Sequence, residues 1–269
     1  MNRQPTPQKI TEANARQSTA TLGCLLRSAR TAALAVTALC AGTLSAQTPA
    51  EPALLSQTTL DKIAKMKPLF DGKSLEGWLF CTAGKPVSDA KDAWTVKDGA
   101  ITSLGAGRSV LFTKDEFDDY RVIYSVRHIS GQPDHQPCVL IFGVAPQPGE
   151  KALDALGSVQ FQAPSTYTWD YRPGKNNDGK EFFTRKNKPK INNHDWCQVE
   201  LLVHHDGRAE LALAQPVGAK AVEAVDFNDP TAGRRGPFGL QMHNKGLFDQ
   251  YKDIRIEEHP KEDKLITVE

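Results

Sequence analysis

The stretch GPFGLQMHN, residues 236–244, opens on a Gly-Pro turn and then alternates. Successive side chains on a strand point to opposite faces, so Leu240 and Met242 share one face and Gln241 and His243 the other. The same reading extends outward through the chain. AWTVKDGAITSL (93–104) and WCQVELLVHHDGRAELALAQ (196–215) are hairpins, each with an Asp-Gly turn, at Asp98-Gly99 and Asp206-Gly207. DYRVIYSVRHI (119–129) is a long alternating strand, and CVLIFGV (138–144) is a continuous apolar run that predicts burial on both faces. GSVQFQAP (157–164) places Val159 and Phe161 on one face and Gln160 and Gln162 on the other, and EFFTRK (181–186) is a further strand. One short helix is expected within TTLDKIAKMKPLF (58–70), starting at a threonine cap. About a dozen short strands separated by turn residues, with hardly any helix, predict an all-β fold: an antiparallel two-sheet sandwich.

The 269 residues are 39% hydrophobic and 24% charged, a composition that fits one large globular domain. Residues 1–46 stand apart. They hold five of the 33 basic residues and one of the 32 acidic ones. They end in the apolar run TAALAVTALCAGTLSA (31–46), which follows Arg27 and Arg30 and is too short to span a bilayer. This is the pattern of a secretory signal peptide cleaved near Ala46, and it predicts a periplasmic or secreted protein with no transmembrane segment after cleavage. The remaining chain carries a net charge of −3 with histidine neutral and shows no basic stripe, which argues against a nucleic-acid partner. It keeps Cys81, Cys138 and Cys197, read as small buried hydrophobes, with a single disulfide as the alternative. The divisions are then a signal peptide (1–46), a leader and short helix (47–66), one β-sandwich domain (67–260) and a C-terminal tail (261–269).

STYTWDYRPGKNNDGK (165–180) is the longest weakly patterned segment and reads as a functional loop. Tyr167, Trp169 and Tyr171 recur there at intervals of two beside Asp170 and Arg172. Aromatic faces with polar partners suit a sugar, which offers an apolar C–H face and a rim of hydroxyls.

Four further segments carry a resemblance. LFDGKSLEGW (69–78), AWTVKDGAI (93–101), GAGRSVLFTKDEFDDYRV (105–122) and RGPFGLQMHNKG (235–246) leading into YKDIRI (251–256) occur in an order that resembles the DUF1080 family. Its members are described as 3-keto-disaccharide hydrolases or 3-keto-glucoside lyase/hydratases. The resemblance implies a concanavalin A-like jelly-roll sandwich, export, and action on oxidised sugars. A ketone at C3 acidifies the C2–H, a base removes that proton, and the C1 substituent leaves by elimination. Water adding back gives net hydrolysis. The site then needs a base and a donor or a divalent metal to hold the enolate. His243, at the family's Gln-x-His position, is the candidate base or metal ligand. Gln160, Gln162, Gln241, Asn244, Trp169, Tyr171 and His135 are the candidate substrate-binding residues.

The chain also departs from the family's pattern. Where members carry Glu in a Tyr-Glu-Val-Gln strand, this chain has Gln160 in VQFQ (159–162), and a neutral amide takes up no proton near neutral pH. PDHQPCVLIFGV (133–144) lacks the family's Ser-Gly pair and arginine but offers Asp134 and His135. Two functions compete: an exported enzyme that cleaves 3-keto-glycosides, and a non-catalytic carbohydrate-binding module on the same lectin-like fold.

Overall fold

The computed structural model describes residues 51–131 and 137–269. The proposed signal peptide and the candidate His135 therefore lie outside the described residues.

In chain order the elements are α1 (Gln57–Lys65), β1 (Lys67–Pro68), β2 (Trp78–Cys81), β3 (Trp94–Lys97) and β4 (Ala100–Ser103). β5 (Ser109–Phe117), β6 (Tyr120–Ser130), β7 (Cys138–Ile141), β8 (Val159–Gln162) and β9 (Tyr167–Asp170) follow. The last are β10 (Phe183–Arg185), β11 (Cys197–Val203), β12 (Arg208–Ala214), β13 (Val222–Asn228), β14 (Gly236–Met242) and β15 (Phe248–Glu258). All pair antiparallel in two sheets. One runs β10-β13-β12-β11-β6-β15-β4-β3 with β1 beside β15, and the other runs β2-β5-β14-β7-β8-β9. This is the expected sandwich of jelly-roll type. Non-consecutive neighbours such as β5, β14 and β7 mean that distant segments must meet before the sheet closes.

The alternation read from the sequence sets which residues face the interior. Leu240 and Met242 of β14, Val159 and Phe161 of β8, and Val199, Leu201 and Val203 of β11 belong to one buried cluster between the sheets. The Asp98-Gly99 pair turns β3 into β4 with φ of 51° and 74°, the left-handed pair that a two-residue hairpin needs. The helix starts two residues earlier than a cap at Thr58 would place it. Ser56 is the cap, in extended conformation, and its Oγ accepts from the Thr59 N–H at 3.1 Å. No helix of the described residues is long and apolar enough to cross a membrane.

Residues 165–180 are not one loop. Tyr167–Asp170 form β9, paired to β8 with Gln160 opposite Trp169 and Gln162 opposite Tyr167. The period-two aromatics are thus the mark of an edge strand. Beyond it, Arg172 bridges Asp170 (2.7 Å) and Asp229 (2.6 Å) in the interior and ties the segment back to the body of the protein. The segment assigned to a tail is also packed. The Ile266 and Thr267 N–H groups and the Thr267 hydroxyl donate to the buried Glu200 carboxylate at 2.9, 2.8 and 2.6 Å.

Candidate functional site

The site lies on the face of the six-stranded sheet that turns away from the interior. Register alone brings three amides together there. Gln241 of β14 stands opposite Cys138 of β7, and Cys138 stands opposite Gln162 of β8. One step along, Leu140 of β7 stands opposite Gln160, and Gln160 opposite Trp169. Apolar side chains of the same face, Val110, Phe112 and Leu140, pack with Leu156 and Tyr171 in a second buried cluster. The face is therefore an apolar floor carrying a few polar groups, the usual character of a small-molecule site.

A cavity of about 890 Å³ opens over this floor. Arg108, Asp154, Gln160, Gln162, Tyr167, Trp169, Tyr171 and His243 line it together with Thr168, Asn176, Asp178, Lys180 and Arg185. Trp169 and Tyr171 form one wall, with ring centroids 6.1 Å apart, and the Trp169 indole N–H donates to Asn176 Oδ1 at 3.1 Å.

His243, just past the end of β14, is held from both sides. Its Nδ1 lies 2.9 Å from Asn244 Oδ1, and its Nε2 lies 3.4 Å from Arg108 Nη1 and 3.2 Å from the Tyr171 hydroxyl. A guanidinium N–H can only donate, so Nε2 is the acceptor and the ring proton sits on Nδ1, donated to Asn244. Arg108 is itself fixed. Its Nε and Nη2 donate to the two Asp154 oxygens at 2.8 and 2.7 Å, and its guanidinium carbon lies 5.1 Å from the Tyr171 ring centroid. Asp154 reaches Arg108 from a turn in which Ala155 and Leu156 take φ of 45° and 57°, a strained left-handed conformation for residues with a side chain.

Burial alone would lower the Arg108 pKa, but the hydrogen bonds and charge of Asp154 more than offset it, and the net shift is upward. Burial also raises the Tyr171 pKa, against the opposing charge of Arg108. Both shifts keep the two groups protonated. The pocket thus sets one acceptor, His243 Nε2, between two fixed donors.

Of the residues expected at the site, Gln160, Gln162, Trp169, Tyr171 and His243 line the cavity. Asn244 and Gln241 do not. Asn244 orients the His243 ring instead, and Gln241 is enclosed at 1% exposure between Val110 and Cys138, its amide atoms without a hydrogen-bond partner among the described residues. Gln160 is also fully buried. Its Nε2 donates to Cys138 Sγ at 2.7 Å, while its Oε1 has no partner among the described residues.

Sequence reasoning missed Arg108, Asp154, Lys180 and Arg185 as site residues. Arg108 sits within a segment quoted for the family resemblance, immediately before a strand whose alternation could have been followed back to it. Asp154 is brought in by a strained turn that carries no sequence signature.

Among solved structures, the chain is similar to the carbohydrate-binding module CBM66 from Bacillus subtilis, at 13% identity and a TM-score of 0.47 over 72% of this chain and 98% of that one. It is similar at 16% identity and the same TM-score to a putative glycosyl hydrolase from Parabacteroides distasonis, covering 72% and 99%. It is also similar to the exoplasmic domain of VIP36 with bound calcium and a mannose-containing glycan, at 11% identity and a TM-score of 0.45, covering 72% and 89%. No curated protein sequence matches it significantly. A family model described as the 3-keto-alpha-glucoside-1,2-lyase-like domain matches residues 65–257. That span is well over half of the chain, and the chain belongs to this family.

Proposed function

We propose that this protein is an exported lyase or hydrolase of 3-keto-glycosides in which His243 is the general base. The observation that carries the reading is His243 Nε2 in the cavity wall, accepting from the Arg108 N–H and the Tyr171 hydroxyl, two donors that turn to the C3 oxygen when the substrate enters. In a 3-keto sugar the acidic C2–H and the C3 carbonyl are on neighbouring atoms, so a base and its flanking donors within one hydrogen-bond length of each other match both at once. Nε2 takes the C2 proton, and the electron pair moves to the C3 oxygen, where Arg108 and Tyr171 hold the enolate. Collapse of the enolate restores the ketone, forms the C1–C2 double bond and expels the C1 substituent, whose oxygen takes the proton from the His243 imidazolium and returns the ring to its neutral form. Water adding across that double bond gives the hydrolysis product.

Among the described residues no cluster of His, Cys, Asp or Glu is placed to hold a metal ion. The imidazole nitrogen that would ligate one faces a guanidinium instead. These described donors suit an oxyanion, and the enolate is assigned to Arg108 and Tyr171.

One observation favours the second reading, a module that binds sugar without cleaving it. Gln160 stands where the family carries a glutamate, and a buried neutral amide supplies no base beneath the cavity. The two readings separate on a 3-keto-glucoside. Turnover by the wild type, reduced about 100-fold in His243→Ala, supports catalysis, since that is the usual scale for losing a positioned acid–base group. Binding without turnover selects the module, and unchanged turnover in His243→Ala removes His243 from the mechanism. Unoxidised glycosides are expected to be poor substrates because their C2 proton is not acidic. Export rests on the basic lead and apolar run of residues 1–46. Intact mass of protein recovered from the envelope or medium should begin near Gln47, and a mass retaining residues 1–46 would refute cleavage.

A further inference from the structure

The cavity extends well past the residues that this chemistry uses. Tyr167, Trp169 and Tyr171 alternate along β9 and its continuation, so all three face the same side. At roughly 3.3 Å per strand residue, Tyr167 lies about 13 Å along the row from Tyr171. Tyr171 touches His243, whereas Tyr167, also a lining residue, is 61% exposed. A single pyranose on Tyr171 and Trp169 leaves that third ring uncovered, and an exposed aromatic in a concave wall marks a place for a ligand surface.

The charges near this end are unbalanced. Of the three cations lining the cavity, Arg108 is held by Asp154 and Lys180 by Asp178 at 2.6 Å. Arg185 makes no ion pair among the described residues, and its Nη2 lies 3.5 Å from Thr168 Oγ1, beside Tyr167. Its planar fork of donors matches a carboxylate.

We infer that the cavity takes a glycoside whose unit beyond the keto sugar carries a carboxylate, as in a uronic acid, with that unit seated on Tyr167 and its carboxylate paired with Arg185. The inference rests on the reading of the cavity as a glycoside site and names the class of leaving group it prefers.

The test is titration calorimetry in a His243→Ala background, in which turnover is slowed about 100-fold. The probes are 3-keto-glucosyl-glucose and 3-keto-glucosyl-glucuronic acid. The acidic disaccharide should bind about fivefold more tightly, the scale of one partly exposed charge-assisted pair. Arg185→Gln should erase the difference between the two probes. Because Arg185 is exposed, the substitution does not threaten folding. The preference should also shrink between low and high salt. Equal affinity for the two probes, or a preference that survives Arg185→Gln, overturns the inference alone. Binding of neither probe overturns it together with the glycoside-site reading.

Discussion

Gln241 shows what a single buried amide costs this fold. It sits in a central strand at 1% exposure, flanked across the sheet by Val110 and Cys138, with neither amide atom paired among the described residues. An unsatisfied buried polar group costs about 1–3 kcal/mol, whereas an apolar side chain of similar shape avoids that loss. Gln241→Met is therefore expected to raise unfolding free energy by about 1 kcal/mol or more in urea melts. A destabilised variant would mean that the amide is satisfied in solution. The cysteines form a second residue-scale case. Cys81, Cys138 and Cys197 are buried and form no disulfide with one another among the described residues, in place of the single disulfide that the sequence left open. Burial pushes the Cys81 and Cys197 thiols up to about 12, and Cys138 well above its ordinary value. The thiolate is the reactive form, so iodoacetamide at pH 8 should label none of the three in the native protein and all three in urea. Rapid native labelling would show that one of them is accessible.

At the scale of elements, β9 and the segment after it decide whether the site has a wall. β9 pairs only through β8 within its sheet, and the chain beyond it is held by Arg172 between two carboxylates, Asp170 and Asp229, all three in the interior. Removing the shared cation strands two buried acids. Arg172→Met should cost about 3–5 kcal/mol and weaken sugar binding, because Trp169, Tyr171 and Asn176 lose their support. The pH response has a definite sign. Burial would raise the Asp229 pKa, but the hydrogen bond from Arg172 and those from Thr231 bring it below its ordinary value. A depressed acid contributes stability that is fully present above the unfolded value, about 3.9, and is lost as pH falls through the lower folded value. Wild-type stability should thus drop as pH falls below about 4, and Arg172→Met should show a smaller drop there.

This element was also the least legible in the sequence. β8 and β14 were readable because their alternation separates core residues from amides, and that pattern placed Gln160, Gln162 and His243 away from the core, beside the cavity. β9 alternates aromatics with polar residues and is followed by turn residues, so it resembles a loop until β8 is seen beside it. Arg108 and Asp154 meet only because β5 lies against β14 and a strained turn carries Asp154 across the sheet. Pairings of such range have no local sequence cue.

At the scale of the whole molecule, the chain's end closes the face of the larger sheet opposite to its interior. Arg121 of β6 and Glu200 of β11 are nearly inaccessible and pair at 2.8 Å, and Arg121 also pairs with Glu257. The remaining donors and acceptors of the pair are used by residues 261–269. Arg121 Nη2 donates to the Glu262 and Lys264 carbonyls at 2.8 Å each, and Glu200 receives the N–H groups of Ile266 and Thr267 and the Thr267 hydroxyl. A buried ion pair stabilises only when its remaining hydrogen-bonding capacity is filled. Here the filling comes from a segment that contributes no strand. Ile266 packs with Met66, Ile123 and Ile63, so the segment also seats helix α1 against the sheet. Truncation after Pro260 should then act as more than the loss of a loose tail. It should lower stability by about 3–5 kcal/mol, as removing the partners of a buried charge does. Ligand affinity per folded molecule should be unchanged, since none of these groups lines the cavity. Urea denaturation and calorimetric titration on the same truncated protein check both halves. A truncated protein as stable as the full chain would show that water replaces the segment at Arg121 and Glu200. Weakened binding by molecules that remain folded would show that the two sheets are coupled through the interior.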